Sequence, residues 1–584
     1  GMSWETISPD LTTDNPAQQG VPKSPLQHDH TGVEVYNTIF VLSESPHDAA
    51  ELWVGTDDGR VHITRDGGGS WTEITPEAMP AGGTVNSLDL NPNRPGRAVM
   101  AVYRYREDDF RPYVFLTNDF GSSWRLLTDG VNGIPADHPV RVVREDPDRE
   151  GLLYAGTEFG IFVSFDEGAH WQSLQQNLPA APIADMKVHR QDLAIATHGR
   201  SFWILDDLTP LHAMRDAIRE EAIHLFQPRE ATLARFRATG GDRAPENPPN
   251  GMVLDYWIGE EVTGDVKLTV LDGTGMIIRT FEGPLDRTVS GPADDGGGEE
   301  GLKEDRDPEE VFAGETEAGS GGATAEDAEA DPAAEGAGAE DQESDDPRDP
   351  NLEEENLEVK RGMNRFVWNL QYPGPDVIPE AQFSLANTGG LNGPPGTYTI
   401  RVEAGGETQE VAVRVGLDPR IPTVTQADVE AQFQLARQVR DRLTEVHTAI
   451  REIRSIREQS QEILGMLNDA EGREDILQEL EEIWNPLKEE LQAVEGALIQ
   501  TRNESGQDPI NFPSRLDDQL AYLYSHVNSS YGRPTEGAYQ RYEDLVEVTD
   551  PYLERVDGEI QDRVRVFNQI LRQAGVGPVV MKGS

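Results

Sequence analysis

Apolar residues in the first 207 positions come in short runs separated by turns rich in Asp, Glu and Gly. Leu52-Trp53-Val54-Gly55-Thr56 leads through Asp57-Asp58-Gly59 to Val61-His62-Ile63. Leu152-Leu153-Tyr154-Ala155-Gly156-Thr157 leads through Glu158-Phe159-Gly160 to Ile161-Phe162-Val163 in the same way. Runs this short, rich in β-branched and aromatic residues and bounded by turn residues, predict antiparallel strands rather than helices. A third copy, Leu193-Ala194-Ile195-Ala196-Thr197 with His198-Gly199-Arg200 and Ser201-Phe202-Trp203-Ile204, ends in Asp206-Asp207, and there the repeat stops.

Beyond it the pattern predicts a short helical connector from Leu211 to Glu221. Strands follow at 231–236, 252–258 and 266–271, with an Asp272-Gly273 turn, and again at 364–370, 396–402 and 410–415. From Pro422 the period becomes helical: Val429, Phe433, Ala436, Val439, Leu443, Val446, Ile450 and Ile453 recur at three- and four-residue steps, one buried face. Thr425 with Asp428 reads as a capping box opening this helix. Leu477, Leu480, Trp484, Leu487, Leu491, Val494 and Leu498 form a second face, which Pro486 is expected to kink. Ser514 and Asp517 are expected to cap a third helix, and a fourth runs from about Pro534 to Leu571. Short connections imply an antiparallel bundle.

A motif recurs within the strand region. Thr64-Arg65-Asp66-Gly67-Gly68-Gly69-Ser70-Trp71, Thr117-Asn118-Asp119-Phe120-Gly121-Ser122-Ser123-Trp124 and Ser164-Phe165-Asp166-Glu167-Gly168-Ala169-His170-Trp171 all read [ST]-x-D-x-G-x-x-W. The Asp residues are 53 and 47 positions apart, room for one four-stranded sheet per copy. A short Asp side chain accepts N–H bonds within its own turn, Gly supplies the positive φ, and Trp buries a large surface at the start of the next strand. Asp66, Gly68, Trp71, Asp119, Gly121, Trp124, Asp166, Gly168 and Trp171 are therefore expected to be structural.

These copies resemble the Asp-box, or bacterial neuraminidase, repeats of sortilin-type receptors, sialidases and oligoxyloglucan-processing glycoside hydrolases. Together with Ala196-Thr197-His198-Gly199-Arg200, Asn364-Arg365-Phe366-Val367-Trp368, Pro395-Gly396-Thr397-Tyr398 and the helices that follow, they resemble large secreted bacterial proteins labelled sortilin-like or glycosyl-hydrolase-like. The resemblance implies a multidomain chain. On that resemblance residues 1–207 are expected to be the C-terminal blades of an all-β Asp-box propeller and 208–224 a connector. From the strand and helix patterns, residues 225–283 and 358–418 are expected to be two parts of one β-sandwich, and 419–575 an α-helical bundle. Ser3-Trp4-Glu5-Thr6-Ile7 matches Ser70-Trp71-Thr72-Glu73-Ile74, the tail of a box. This partial propeller is therefore expected to be completed by N-terminal blades, from the same protein or another chain.

Charge narrows the partners. Lys+Arg 50 against Asp+Glu 106 gives a formal net charge of -56, which repels phosphate backbones and anionic membranes, so nucleic acid is excluded. Residues 291–357 hold 25 acidic and 3 basic residues, and 284–357, almost without aromatics, is expected to be a disordered acidic insertion in the sandwich. The remaining acidity suits a salt-loving source, where the Debye length falls to about 3 Å at 1 M salt. There is no cysteine and no apolar run of membrane-spanning length. A secreted, periplasmic or cell-surface location is expected from the resemblance.

In a propeller, the turns between second and third strands share a rim with the inter-blade loops. That rim would carry His28, His30, Asp57, Asp58, Arg104, Arg106, His138, Glu158, His198 and Arg200. No metal-ligand spacing motif is present, so neither a metal nor a cofactor is expected. A glycosidase would need two carboxylates about 5–9.5 Å apart across a cleft, and Asp57, Asp58 and Glu158 are the nominees. The leading expectation is a non-catalytic binding or scaffold protein for a protein or peptide, with a polysaccharide hydrolase as the alternative.

Overall fold

The computed structural model describes residues 4–16, 36–234, 248–285, 357–470, 472–503 and 507–581. His28, His30 and all of the expected insertion but its ends lie outside the described residues.

The N-terminal region is all-β. β1 (Ile39–Glu44), β2 (Leu52–Thr56), β3 (Val61–Thr64) and β4 (Thr72–Glu73) form a sheet in chain order. β5 (Thr84–Leu90), β6 (Ala98–Tyr103), β7 (Tyr113–Thr117) and β8 (Arg125–Leu126) form a second, and β9 (Val140–Glu145), β10 (Leu153–Thr157), β11 (Ile161–Ser164) and β12 (Gln172–Ser173) a third. The fourth sheet has only β13 (Ile183–His189), β14 (Asp192–Thr197) and β15 (Phe202–Leu205).

Every pairing within these sheets is antiparallel, and each sheet packs on the next through its own core. Trp53 and Ile63 meet Leu88, Met100 and Phe115 of the second sheet. Val114 and Leu116 meet Val143 and Ala155 of the third, and Tyr154 and Val163 meet Met186 and Ile195 of the fourth. Burying such side chains supplies about 1.5–3 kcal/mol each.

The repeated turns link these sheets from outside. Asp119 accepts from the backbone N–H of Ser123 at 2.9 Å and from the hydroxyls of Ser123 and Thr117 at 2.6 and 2.9 Å. Asp66 and Asp166 make the same contacts with Ser70 and Thr64, and with His170 and Ser164. Each box also clasps its predecessor. The indole N–H groups of Trp71, Trp124 and Trp171 donate to the carbonyls of Ile7, Ile74 and Leu127 at 2.9, 2.7 and 3.3 Å. Each of those carbonyls belongs to the residue three positions after the Trp, or after Trp4, of the preceding copy.

Gly121 sits at φ 76, and a Cβ there would lie 2.5 Å from the Cδ1 of Ile74. Gly121→Ala is therefore expected to destabilise the N-terminal region by more than about 1 kcal/mol in urea unfolding followed by tryptophan fluorescence. An unchanged midpoint would show that the clasp adapts.

After α1 (Thr209–Ala213) and a 3₁₀ turn (Asp216–Glu220), β16 (Ile223–Leu225), β17 (Ala231–Leu233), β18 (Met252–Ile258), β19 (Asp265–Leu271) and β20 (Ile277–Pro284) follow. The connector expected from Leu211 to Glu221 is thus two short pieces, because Met214 leaves the helix with extended backbone. β21 (Gly362–Trp368), a small hairpin of β22 (Gln371–Tyr372) and β23 (Leu391–Asn392), β24 (Gly396–Ala404) and β25 (Glu407–Leu417) complete the β elements. A three-stranded sheet β16-β18-β21 and a five-stranded sheet β17-β25-β24-β19-β20 pool their apolar residues in one core around Tyr256, Leu268, Trp368 and Val402.

The C-terminal region is helical: α2 (Gln426–Asn468), α3 (Glu474–Leu498), α4 (Leu516–Asn528), α5 (Glu536–Arg555), a π turn (Val556–Ile560) and α6 (Gln561–Gln573). Thr425 and Asp428 form the reciprocal capping box. α3 runs through Pro486 as one helix. α4 begins after Arg515, one residue later than the expected Ser514 cap, and its N-cap makes no side-chain bond. Asp517 is instead buried and accepts from the N–H of Asp518 at 2.7 Å. No helix among the described residues is long and apolar enough to cross a membrane.

Candidate functional site

Asp57 and Asp58 lie in the β2–β3 turn, Arg104 and Arg106 between β6 and β7, Glu158 between β10 and β11, and His198 and Arg200 between β14 and β15. His138 precedes β9. Antiparallel order puts these turns at one end of the strands and the boxes, which join third to fourth strands, at the other.

The acidic residues there are engaged by the chain itself. Buried Asp57 accepts from the backbone N–H and hydroxyl of Thr38 at 2.8 and 3.1 Å. Asp58, also buried, accepts from the N–H and hydroxyl of Thr13 and from the amide of Asn37, each at 2.6 Å, and from the hydroxyl of Thr56. Burial pushes the Asp58 carboxyl up, but the donors of Thr13, Thr56 and Asn37 outweigh it and hold the group below its ordinary value. This is the reverse of what a general acid requires. The turn thereby ties the segments around residues 13 and 37 to the first sheet.

Between the second and third sheets lies a cluster that sequence reading did not pick out. Glu158 accepts from the Tyr103 hydroxyl and from Arg141 Nε at 2.5 Å. Arg141 also donates to the Tyr103 oxygen at 3.0 Å, its guanidinium 4.8 Å from that ring. Burial and the Glu158 bond push the Tyr103 hydroxyl well above its usual range. Arg104 pairs with Asp109 and donates to the carbonyl of Ala81 at 2.8 Å, while the Arg106 guanidinium lies 5.9 Å from the Tyr105 ring centre.

The solvent-facing part of this end mixes aromatic, basic and acidic side chains, with Glu107, Asp108 and Asp137 exposed beside Phe159, His198 and Arg200. The His138 ring lies 4.7 Å from Phe159, which is half exposed, and its Nδ1 is 2.9 Å from Asp137. His198 and Arg200 are exposed, held through their backbones by Pro182 and Thr197. Of the sequence candidates, then, Asp57, Asp58, Glu158 and Arg104 sit in internal bonds, His138 packs on Phe159 beside Asp137, and His198 and Arg200 are exposed.

One cluster elsewhere has metal-ligand chemistry: atoms of Asp146, Asp148 and His212 lie within 4.8 Å of one another. Asp146 and His212 are engaged within the chain itself. Asp146 Oδ1 accepts from the N–H groups of Asp148 and Arg149, and Oδ2 meets the Tyr154 hydroxyl at 2.8 Å and His212 Nε2 at 2.9 Å. Burial raises this carboxyl, yet His212, the Asp148 N–H and Tyr154 together leave it lowered. In the second sheet the neutral amide of Asn91 closes the same turn, accepting from Asn93 and Arg94 at 2.7 and 2.8 Å.

No family model matches the chain, and no curated protein is similar to it. Solved structures show distant similarity. One is a YCF48 protein described as bound to D1 peptide, at 18% identity over 29% of this chain and 51% of that one, TM-score 0.23. A GH74 xyloglucanase from Xanthomonas campestris matches at 14% identity over 46% and 36%, TM-score 0.26. A GH74 enzyme from Niastella koreensis matches at 16% identity over 28% and 26%, TM-score 0.23. The chain therefore spans about half the length of the first, 36% of the second and 26% of the third, and overlaps this slight carry no argument about activity.

Proposed function

We propose that this chain is a non-catalytic binding or scaffold protein of the secreted, periplasmic or cell-surface kind. In this reading its N-terminal sheets are blades of an Asp-box propeller of the sortilin-like type. The two-sheet unit, a β-sandwich, and the antiparallel helical bundle serve as docking modules. The observation that carries it is the state of the rim: Asp57, Asp58 and Glu158 are occupied by Thr38, Thr13, Asn37, Tyr103 and Arg141, whereas Phe159, His198 and Arg200 face outward. Aromatic and cationic side chains suit a protein or peptide, adding about 0.5–1 kcal/mol per exposed cation–π contact.

Two measurements test the reading. Incubation with xyloglucan, mixed-linkage glucan and sialylated glycans is expected to release no sugar. Peptides selected from a display library on the intact chain are expected to lose at least ~10-fold in affinity on Phe159→Ser, about 1.4 kcal/mol. Sugar release abolished by Glu158→Gln or Asp58→Asn would instead establish the hydrolase.

A further inference from the structure

Between α4, α5 and the segment joining β22 to β23, the helical region holds a pocket of about 560 Å³, within the ~300–1,000 Å³ of small-molecule sites. Asp518 and Tyr522 stand four residues apart on α4 and so share one face, with Leu523 beside them. α5 brings Gly537 and Arg541, and the joining segment brings Ser384 and Leu385.

One charged group is built into the wall. Asp518 is only 8% exposed, and its Oδ1 accepts from the backbone N–H of Ser384 at 2.7 Å. Among the described residues no donor meets its Oδ2 and no cation pairs with it. Arg541, in the same lining, is turned instead to the side-chain oxygen of Gln519. A carboxylate so far withdrawn from water is costly unless a charged donor reaches it. The rest of the lining is apolar where it is deep and aromatic where it is open: Leu523 is buried and Tyr522 is 57% exposed. Leu385, at φ 59, is 93% exposed. A left-handed backbone is unfavourable for a bulky residue, and here it holds an apolar side chain out at the pocket mouth.

We infer that this pocket binds an alkylammonium group, a primary ammonium on a chain of methylenes, carried by a lysine side chain of a peptide or by a free diamine. The ammonium donates to Asp518 Oδ2, and the methylenes run over Leu523 between Tyr522 and Leu385. An ammonium is a compact point charge that one oxygen satisfies, whereas the fork of a guanidinium takes both carboxylate oxygens, and Ser384 already holds one. An anion is opposed by Asp518 and by the net charge of -56. The site belongs to the helical region alone and is independent of the rim of the N-terminal sheets.

The intact chain is titrated by calorimetry with cadaverine and with a capped tripeptide, lysine between two glycines, in about 0.5 M salt to screen attraction to the acidic surface at large. One saturable site per chain is expected, and the tighter of the two probes identifies the source, a partner's lysine or a free amine. Acetylating the probe's amino groups is expected to abolish binding. Asp518→Asn, whose amide oxygen can still accept from Ser384, is expected to weaken the tighter probe at least ~10-fold. Gly537→Trp should do the same by filling the pocket. A Cβ at Gly537 meets only Thr535 Oγ1, at 3.9 Å, so the helix can carry the larger side chain.

Circular dichroism of the helices shows whether each variant is folded, and if Asp518→Asn is not, Gly537→Trp decides alone. Three results overturn the proposal. One is the absence of a saturable site for either probe. Another is a folded variant that binds as the parent does. The third is an acetylated probe that binds as tightly as the free amine.

Discussion

Replacing Arg97 by Met is expected to cost the N-terminal region about 3–5 kcal/mol, the range found when one partner of a buried ion pair is removed. The side chains of Arg97 and Glu145 are 0% and 1% exposed. Arg97 Nη2 and Nε reach Glu145 at 2.7 to 3.0 Å, and its Nη1 donates to Asn118 at 2.8 Å and Glu167 at 3.0 Å. The guanidinium thus ties the second sheet to the first strand of the third and to its box. Without it Glu145 keeps only the donors of Asn91 and Gly151, a charge left in the interior. Urea unfolding followed by the buried Trp53 reads the loss, and Arg97→Met with Glu145→Met should lose less than Arg97→Met alone. A single-variant loss under about 1 kcal/mol would show that water reaches the pair.

The helical region is expected to show almost no pH dependence of stability between pH 4.5 and 6.5, and a steep one when either of two buried groups is removed. His447 in α2 is buried, and desolvation, with Arg451 adding to it, pulls its imidazole down to about 4. The unfolded chain, near the ordinary 6.5, binds a proton across this window that the folded chain does not, so His447 lowers stability as pH falls. Asp517 in α4 runs the other way: desolvation raises it to about 7. There the folded chain holds the proton and the unfolded one, near 3.8, does not, so Asp517 raises stability as pH falls.

Each contributes about 1.4 kcal/mol per pH unit with opposite sign. Asp517→Asn should therefore lose about 2 kcal/mol on going from pH 6.5 to 4.5, because the full slope holds only between the two pKa values of His447, and His447→Asn should gain a similar amount. Chemical unfolding at stepped pH with helical circular dichroism checks both. Parallel slopes in the two variants would sink the account.

What could be read from the sequence was what repeats. Val429 through Ile453 recur at helical spacing because one face of α2 must be dry, and all eight of those positions are buried. Met252–Ile258 reads as a strand since both its ends are turn-like, and β18 has those bounds. What stayed hidden has no period. Arg97 and Glu145 are 48 residues apart, and neither type nor spacing marks them as partners. Tyr103, Arg141 and Glu158 meet only because adjacent sheets bring their ends together.

Asp57-Asp58-Gly59 reads as a turn on the candidate ligand rim, yet both carboxylates are internal because the segments around Thr13 and Thr38 present N–H groups that need acceptors. The start of α4 departs from the expected Ser514 cap for a related reason. Asp517 is buried in the first turn, whose N–H groups donate to no N-cap side chain.

The clasp of each indole on the preceding carbonyl also sets how the N-terminal region responds to pulling. The hydrogen bonds of Trp71, Trp124 and Trp171 lie in series, each closing over the segment that follows the Trp of the copy before it. Force applied at the N-terminal end meets the Trp71 clasp first, and the first sheet cannot peel away until its own outer strand slips from under Trp124. Extension should therefore proceed as a row of discrete yields, one per sheet, each sheet acting as the latch of its predecessor.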